Sequence, residues 1–148
     1  MRFDVIDDEE IIRELMSELI SSEGYEAKTF VNAADYVDYF SSPDYEPPIA
    51  IFSDLRMPGM DGIGLVRYIR EHLPLQRLVM VSGNPEAATV VDDHLCEIVS
   101  KPFHPRKVIG QLKSLHECKR VLESDSGESC TDHCRFGIDH ACPLAKQN

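Results

Sequence analysis

Five polar residues stand where short apolar runs of the sequence end, and their side chains are of types that bind cations or stabilise charge. They are Asp7, Asp8, Asp54, Ser82 and Lys101. If the runs are parallel strands of one sheet, their carboxyl ends share one edge and bring these side chains together. Three carboxylates at that edge repel one another, and a hard divalent cation with oxygen ligands relieves the repulsion. We therefore predict a Mg²⁺ site in which Asp7 and Asp8 hold the ion.

Asp54 is placed to act as a nucleophile. A carboxylate that attacks phosphorus forms an acyl phosphate, provided that the charge on the transferring group is neutralised. The ammonium of Lys101 supplies a positive point charge, and the hydroxyl of Ser82 can donate a hydrogen bond to a phosphoryl oxygen. Taken singly, each residue is better explained as a helix cap, a turn residue or a surface charge. The prediction therefore rests on the complete set.

Alternating strands and helices are predicted to position these residues. The continuous apolar runs at 49–52 and 78–81 are typical of central parallel strands that are covered on both faces. Further strands are predicted at 3–6, 25–30 and 96–99, and a short helical stretch at about 85–93. Strands that alternate with helices five times indicate an α/β fold, a doubly wound parallel sheet with helices on both faces.

Helix boundaries are marked by residues with known capping preferences. Gly24 is a stop signal for the first helix, and Asn32 is the predicted N-cap of the second. The Pro-Gly turn at 58–62 contains a candidate N-cap for the third helix, which is predicted to end before Pro74. Pro105 suits the first position of the last helix. The inward face of that helix is predicted to carry Val108, Ile109, Leu112 and Leu115.

Composition limits the classes of function. The 148 residues include 26 acidic and 15 basic ones, a formal net charge of −11. Such a charge repels phosphate backbones and anionic lipids, so no direct binding to nucleic acid or membranes is expected. We expect a cytoplasmic location, because the chain shows neither a signal-peptide profile nor an apolar stretch of roughly 20 residues. One domain is expected at 1–122, with a linker and a Cys/His-rich tail at 123–148.

Four motifs resemble those of the receiver domains of two-component response regulators. They are Val-Ile-Asp7-Asp8-Glu, Phe-Ser-Asp54-Leu-Arg-Met-Pro-Gly-Met-Asp-Gly, Val-Ser82-Gly and Ser-Lys101-Pro-Phe. They occur in the family's order and spacing, and the resemblance extends over residues 1 to about 120. It implies a five-stranded, flavodoxin-like receiver fold. It also implies a phosphoacceptor signalling domain, which is not an enzyme beyond promoting its own phosphorylation and dephosphorylation.

The resemblance implies roles for the acidic residues. Asp54 would accept a phosphoryl group from a histidine kinase or a phosphotransfer protein. Asp8, Asp54 and the backbone carbonyl of Arg56 would contact Mg²⁺, and Asp7 would commonly reach the ion through water.

Ser82 and Lys101 would take the family's hydroxyl and lysine roles, and the Lys101–Pro102 peptide bond is expected to be cis, as it usually is in relatives. The chain departs from the family at Ile98, where many relatives carry an aromatic residue that reorients on phosphorylation. The segment between Ser82 and Lys101 also lacks the Gly-Ala pair that typically precedes the fifth strand, so a short fourth helix is expected. We therefore expect phosphorylation to be intact and the route of activation to differ from the common one.

The tail is rich in residues that bind soft metals. The candidate ligands are Cys130, Cys134, Cys142, His133, His140 and Cys118. Zinc or an iron-sulfur cluster would suit them, although Cys-x3-Cys-x7-Cys matches a zinc pattern only loosely. A redox or disulfide role and an unstructured tail with incidental cysteines stay open as alternatives.

Three functions are compatible with these features of the sequence. The first is a single-domain response regulator whose phosphorylation alters binding to a downstream protein target. The alternative is a metal or redox sensor that detects its signal through the Cys/His tail and uses the receiver as an interaction platform. A hydrolase of the haloacid-dehalogenase type ranks third, because its usual Asp-x-Asp start is absent at Asp54-Leu-Arg56.

Overall fold

The computed structural model describes residues 1–123, which contain a five-stranded parallel sheet. Its strands are β1 (Arg2–Ile6), β2 (Glu26–Phe30), β3 (Ala50–Asp54), β4 (Arg77–Ser82) and β5 (Glu97–Ser100). They lie in the order β2-β1-β3-β4-β5, and each neighbouring pair is parallel. The chain reverses its direction of winding between β1 and β3, and open α/β sheets bind ligands at such a point. The predicted doubly wound sheet is confirmed.

Helices cover both faces of this sheet. They are α1 (Glu10–Ser22), α2 (Ala33–Phe40), α3 (Gly62–His72) and α4 (Pro105–Glu123), together with a 3-10 segment at Pro85–His94. Helices α1 and α4 pack on one face, whereas α2, α3 and the 3-10 segment pack on the other.

The strands supply a separate hydrophobic core to each face because their successive side chains point in opposite directions. In β3, Ala50 and Phe52 face α1 and α4, whereas Ile51 faces α2 and α3. All five residues of β3 and all six of β4 are buried. The predicted burial of these central strands is confirmed, and it gives the site at their carboxyl ends a rigid base.

The predicted helix caps are present. The side chain of Asn32 accepts a hydrogen bond from the backbone N–H of Asp35 at 2.8 Å, and that of Asp61 accepts one from Gly64 at 2.9 Å. Gly24 follows α1 with a φ of +86°, a left-handed conformation that glycine adopts without steric cost. These contacts place the ends of α1, α2 and α3 where the sequence predicts them.

The last helix begins at Pro105, as predicted. Its inward stripe of Val108, Leu112 and Leu115 is buried, with the spacing of one helix face. Ile109 is only half-buried, because it stands at the margin of that stripe. The helix continues to Glu123, one residue beyond the expected end of the domain.

The segment between β4 and β5 is a 3-10 helix and not a short α-helix. It contains a kink at Val91, whose φ of −124° and ψ of 18° are not helical. Long 3-10 runs are uncommon because their hydrogen-bond geometry is poorer, which is consistent with the interruption. Even so, Ala88 and Val91 are fully buried and belong to the core beneath the segment.

A carboxylate in the middle of β1 is tolerated because it has two partners. Asp4 is fully buried, and it accepts hydrogen bonds from Arg2 Nε at 2.7 Å and from the Tyr36 hydroxyl at 2.8 Å. Burial raises the pKa of Asp4, and these two hydrogen bonds oppose the rise. The network explains how an acidic residue interrupts an otherwise apolar strand.

Gly62, the first residue of α3, lies against the end of β3. Its N–H donates to the carbonyl of Leu55 at 2.8 Å, and an added Cβ would overlap the carbonyl oxygen of Asp54. Gly62→Ala is therefore expected to lower the free energy of unfolding by about 1–3 kcal/mol, the typical cost of overpacking. Urea unfolding followed by far-UV circular dichroism measures the change.

Gly110→Ala is the matched control, because a Cβ on that exposed glycine of α4 meets no atom within 4 Å. Alanine in a helix interior should stabilise the protein by about 0.5–1 kcal/mol. Equal effects of the two substitutions would contradict the proposed close contact at Gly62.

Candidate functional site

The carboxyl ends of four strands build one cleft. Asp7 and Asp8 follow β1, Asp54 is the last residue of β3, and Ser82 is the last residue of β4. Lys101 follows β5, and its backbone N–H donates to the carbonyl of Ser82 at 2.8 Å. The cleft is lined by Asp8, Glu9, Asp54, Arg56, Ser82, Gly83, Asn84 and Lys101. Asp7 lies beneath it, buried, so the structure brings all five predicted side chains together.

Lys101 connects the acidic residues of the cleft. Its Nζ atom lies 2.8 Å from Asp7 Oδ2, 3.3 Å from Asp54 Oδ1 and 3.5 Å from Glu9 Oε1. Burial alone would lower the pKa of Lys101, but the hydrogen bond and charge of Asp7, together with Asp54, raise it above the ordinary value. The lysine is therefore a fixed positive charge beside Asp54.

The acidic residues suit a hard divalent cation. One carboxylate oxygen from each of Asp7, Asp8, Glu9 and Asp54 lies within 4.8 Å of the others. Asp7 and Asp54 are buried, whereas Asp8 and Glu9 are exposed to solvent. Clustered oxygen donors of this kind match the ligand preference of Mg²⁺, which also keeps several waters. The donor set therefore fits the predicted ion.

The surroundings of Asp54 disfavour its charged form when no metal is bound. Burial and the negative charge of Asp7 raise the pKa of Asp54 from 3.8 to about 6. Lys101 and the N–H of Leu55, which donates to Asp54 Oδ1 at 2.9 Å, oppose this rise only in part. The site thus holds an excess of negative charge that a cation would neutralise.

Removing this charge should stabilise the fold. The pKa of Asp54 is about 6 in the folded protein and 3.8 in the unfolded chain. The protonated Asp54 therefore stabilises the fold below about pH 4, and this stabilisation is lost as the pH rises through 6. In the presence of a metal chelator, Asp54→Asn is expected to raise the free energy of unfolding at pH 8 by about 1–3 kcal/mol. The gain should shrink to a fraction of that at pH 4. Urea unfolding at both pH values measures it.

Asp93→Asn is the control for this effect, because its side chain is 55% exposed and lies outside the cleft. It should change the free energy of unfolding by no more than about 0.5 kcal/mol at either pH. A gain for Asp54→Asn that did not depend on pH would contradict the assigned cause.

The hydroxyl of Ser82 is oriented by the backbone. Its Oγ accepts a hydrogen bond from the N–H of Asn84 at 2.9 Å, and the residue is buried. Because the oxygen accepts this bond, the hydroxyl hydrogen is left to donate toward the cleft. This geometry suits the predicted role of Ser82 toward an anionic ligand.

Residues beside the cleft bear on the other predictions. The Lys101–Pro102 peptide bond is cis, which confirms that prediction. Arg56 is exposed at the rim of the cleft, and the metal-binding role of its carbonyl stays a prediction. Ile98 is half-buried, pairs with Met80 of β4 and packs against the core beneath α3. An aliphatic side chain thus occupies the position at which many relatives carry an aromatic one.

Glu9 is a cleft residue that was not predicted from the sequence to belong to the site. Its carboxylate belongs to the acidic cluster and contacts Lys101, although 92 residues separate the two in sequence. The only signal in the sequence was its position directly after Asp7-Asp8, where an acidic residue is also explained by the dipole of α1.

The predicted metal ligands of the tail, Cys130, Cys134, Cys142, His133 and His140, lie outside the described residues. Cys118 lies on α4 and is half-buried. The zinc or iron-sulfur site therefore stays a prediction.

Residues 4–113 match the family model described as the response regulator receiver domain. The chain belongs to this family. Receiver domains are phosphoacceptor modules of two-component systems and take phosphoryl groups from histidine kinases. The family match argues against the hydrolase of the haloacid-dehalogenase type. It also confirms the receiver fold inferred from the four motifs.

The chain is similar to longer transcriptional regulators. It is 27% identical over 138 residues to the C4-dicarboxylate transport transcriptional regulatory protein DctD of Rhizobium meliloti, covering 90% of this chain and 29% of DctD. It is 28% identical over 102 residues to the DNA-binding transcriptional regulator NtrC of Escherichia coli, covering 67% of this chain and 21% of NtrC. Because the matches span less than a third of these relatives, the expected absence of nucleic-acid binding stays a prediction.

A solved structure is similar in sequence and fold. It is that of the response regulator TrrA of Thermotoga maritima, in complex with Mg²⁺-BeF, and its TM-score is 0.68. The two chains are 28% identical, and the match covers 77% of this chain and 97% of TrrA. Within residues 1–123, no helix is both long and apolar enough to cross a membrane.

Proposed function

We propose that residues 1–122 form the phosphoacceptor unit of a two-component system, in which Asp54 takes a phosphoryl group from a histidine kinase or a phosphotransfer protein. One observation supports this above all. The Asp54 carboxylate lies 3.3 Å from the Lys101 ammonium inside an acidic cluster at the carboxyl ends of parallel strands. A nucleophile, a fixed positive charge and a set of cation ligands therefore share one cleft.

The transfer step uses Asp54 in its ionised form. A carboxylate oxygen forms a bond to phosphorus while the bond from phosphorus to the donor's imidazole nitrogen breaks. The electron pair of that bond stays on the imidazole, and the product on this chain is an acyl phosphate. Lys101 is close enough to pair with a phosphoryl oxygen as charge shifts onto it, and the Ser82 hydroxyl donates to another.

Asp7, Asp8, Asp54 and the backbone carbonyl of Arg56 are the proposed holders of Mg²⁺. When bound, the ion supplies positive charge that offsets both the acidic cluster and the phosphoryl oxygens. The carboxylates of Asp7 and Asp8 would hold the ion next to Asp54. Because the metal-free site raises the pKa of Asp54 to about 6, the acidic cluster itself favours uptake of a cation.

We place the output of the site in a changed affinity for a downstream protein. Ile98 packs against the same core as the kinked 3-10 segment, and its side chain is aliphatic, with no ring that could reorient. We therefore propose that the signal is transmitted by a change other than the reorientation of an aromatic ring at position 98. The expectation of a single-domain regulator and the sensor alternative both stay predictions.

Beryllium trifluoride, a phosphoryl mimic, tests the phosphoacceptor site directly. It should shift the backbone amide NMR signals of Asp54, Ser82 and Lys101, and only when Mg²⁺ is present. Asp54→Asn should abolish these shifts. Binding without Mg²⁺, or shifts confined to residues outside the cleft, would contradict the proposal.

Partner capture tests the output. The intact chain and a chain without residues 124–148 would each be used as bait, with and without beryllium trifluoride and Mg²⁺. We expect a protein that binds the two states differently. Capture that does not respond to the mimic but is lost with the tail would instead favour the sensor alternative.

A further inference from the structure

Glu9 stands at the N-cap position of α1 without capping the helix. Its backbone is extended, with a φ of −86° and a ψ of 115°, but its side chain accepts no hydrogen bond from the first turn. Ser, Thr, Asp and Asn are the residues that cap well, because their short side chains reach back to the backbone. The side chain of Glu9 is instead directed to Lys101, with Oε1 at 3.5 Å from Nζ. A position that usually stabilises a helix is thus occupied by a residue that serves the cleft.

The backbone of Glu9 is held by the same cleft. Its N–H donates to Asp7 Oδ1 at 2.9 Å, so the buried aspartate holds the backbone of Glu9 in position. Its carboxylate has an oxygen within 4.8 Å of ligand oxygens from Asp7, Asp8 and Asp54. The side chain is 56% exposed, so it can adjust its position without disturbing the core.

We propose that Glu9 is a further carboxylate for the divalent cation and that it increases the affinity of the site for that ion. The inference rests on the proposed function, because it concerns the same cleft. Sites built from oxygen ligands tune their affinity for divalent cations through the number of charged ligands. A fourth carboxylate beside Asp7, Asp8 and Asp54 therefore strengthens binding, either in direct contact or through a bound water.

Lys101 does not depend on Glu9 for its position. Its two shorter contacts, 2.8 Å to Asp7 and 3.3 Å to Asp54, involve buried carboxylates. Glu9→Gln should therefore leave Lys101 and the fold in place and change the charge around the cation alone. This makes Glu9 separable from the residues that carry the phosphoryl transfer.

Calorimetric titration of the metal-free full chain with MgCl₂ tests the inference without reference to activity. Glu9→Gln should weaken Mg²⁺ binding by about 3- to 10-fold, in 0.15 M and also in 0.5 M KCl, because a short-range contact is screened little by salt. Glu10→Gln is the matched control, because it removes the same charge one residue away. Glu10 lines a separate groove along α1. Its effect should stay below about 2-fold and decrease at the higher salt concentration.

The outcomes separate this inference from the proposed function. Equal affinities of Glu9→Gln and the unchanged chain, or equal effects of the two substitutions, would overturn the role of Glu9 alone. Failure of the unchanged chain to bind Mg²⁺ would overturn the metal site and the proposed function with it.

Discussion

Replacing Asp54 by Asn is expected to reduce the rate of phosphoryl uptake from acetyl phosphate, in the presence of Mg²⁺, by at least about 100-fold. The amide cannot form an acyl phosphate, whereas the fold should remain intact because the neutral side chain relieves repulsion from Asp7. The Asn side chain has nearly the same volume as Asp, so the burial of β3 is preserved. Intact-protein mass spectrometry after an acid quench measures the phosphorylated fraction over time.

Asp38→Asn is the control for this experiment, since Asp38 is an exposed residue of α2 that does not line the cleft. It should take up phosphoryl groups at the rate of the unchanged chain. If Asp54→Asn retained more than about a tenth of the uptake, a neighbouring carboxylate would have to be the acceptor.

Replacing Lys101 by Ala is expected to affect transfer and metal binding in opposite directions. Transfer from acetyl phosphate should slow by about 100- to 1,000-fold, because a positive charge aimed at the developing phosphoryl charge is lost. Mg²⁺ should bind more tightly at pH 8, because the ammonium 2.8 Å from Asp7 no longer repels it. Mass spectrometry follows the first quantity, and calorimetric titration follows the second.

Lys113→Ala removes the same charge from an exposed side chain whose Nζ lies 4.0 Å from Glu23, and it should leave both quantities unchanged. If transfer to the Lys101→Ala variant were slower and its Mg²⁺ binding weaker, the substitution would have collapsed the site. Transfer at an unchanged rate would contradict the role of Lys101 in neutralising charge.

The sequence predicts the main positions of the cleft because parallel topology makes strand ends meet. Asp54 and Ser82 end β3 and β4, and Lys101 follows β5, so locating the strands was enough to bring the three side chains together. The caps at Asn32 and Asp61 were predictable for a similar reason, since each contact spans only three residues.

Features that depend on distant partners were not predictable in this way. Glu9 points to a lysine 92 residues away, and a local pattern contains no information on that contact. The close approach of Gly62 to Asp54 depends on how α3 packs against β3. The 3-10 geometry after β4 was not predictable either, because intrinsic propensity distinguishes short helix types poorly.

The most direct test of the phosphoacceptor assignment is to locate the phosphoryl group itself. The full chain would be incubated with acetyl phosphate and Mg²⁺ and then treated with borohydride, which reduces the acyl phosphate and so marks the residue that carried it. Digestion and mass spectrometry then locate the marked residue. We predict one modified residue, Asp54, and no modification in chelator. A phosphoryl group on any other residue, or none in the presence of Mg²⁺, would contradict it.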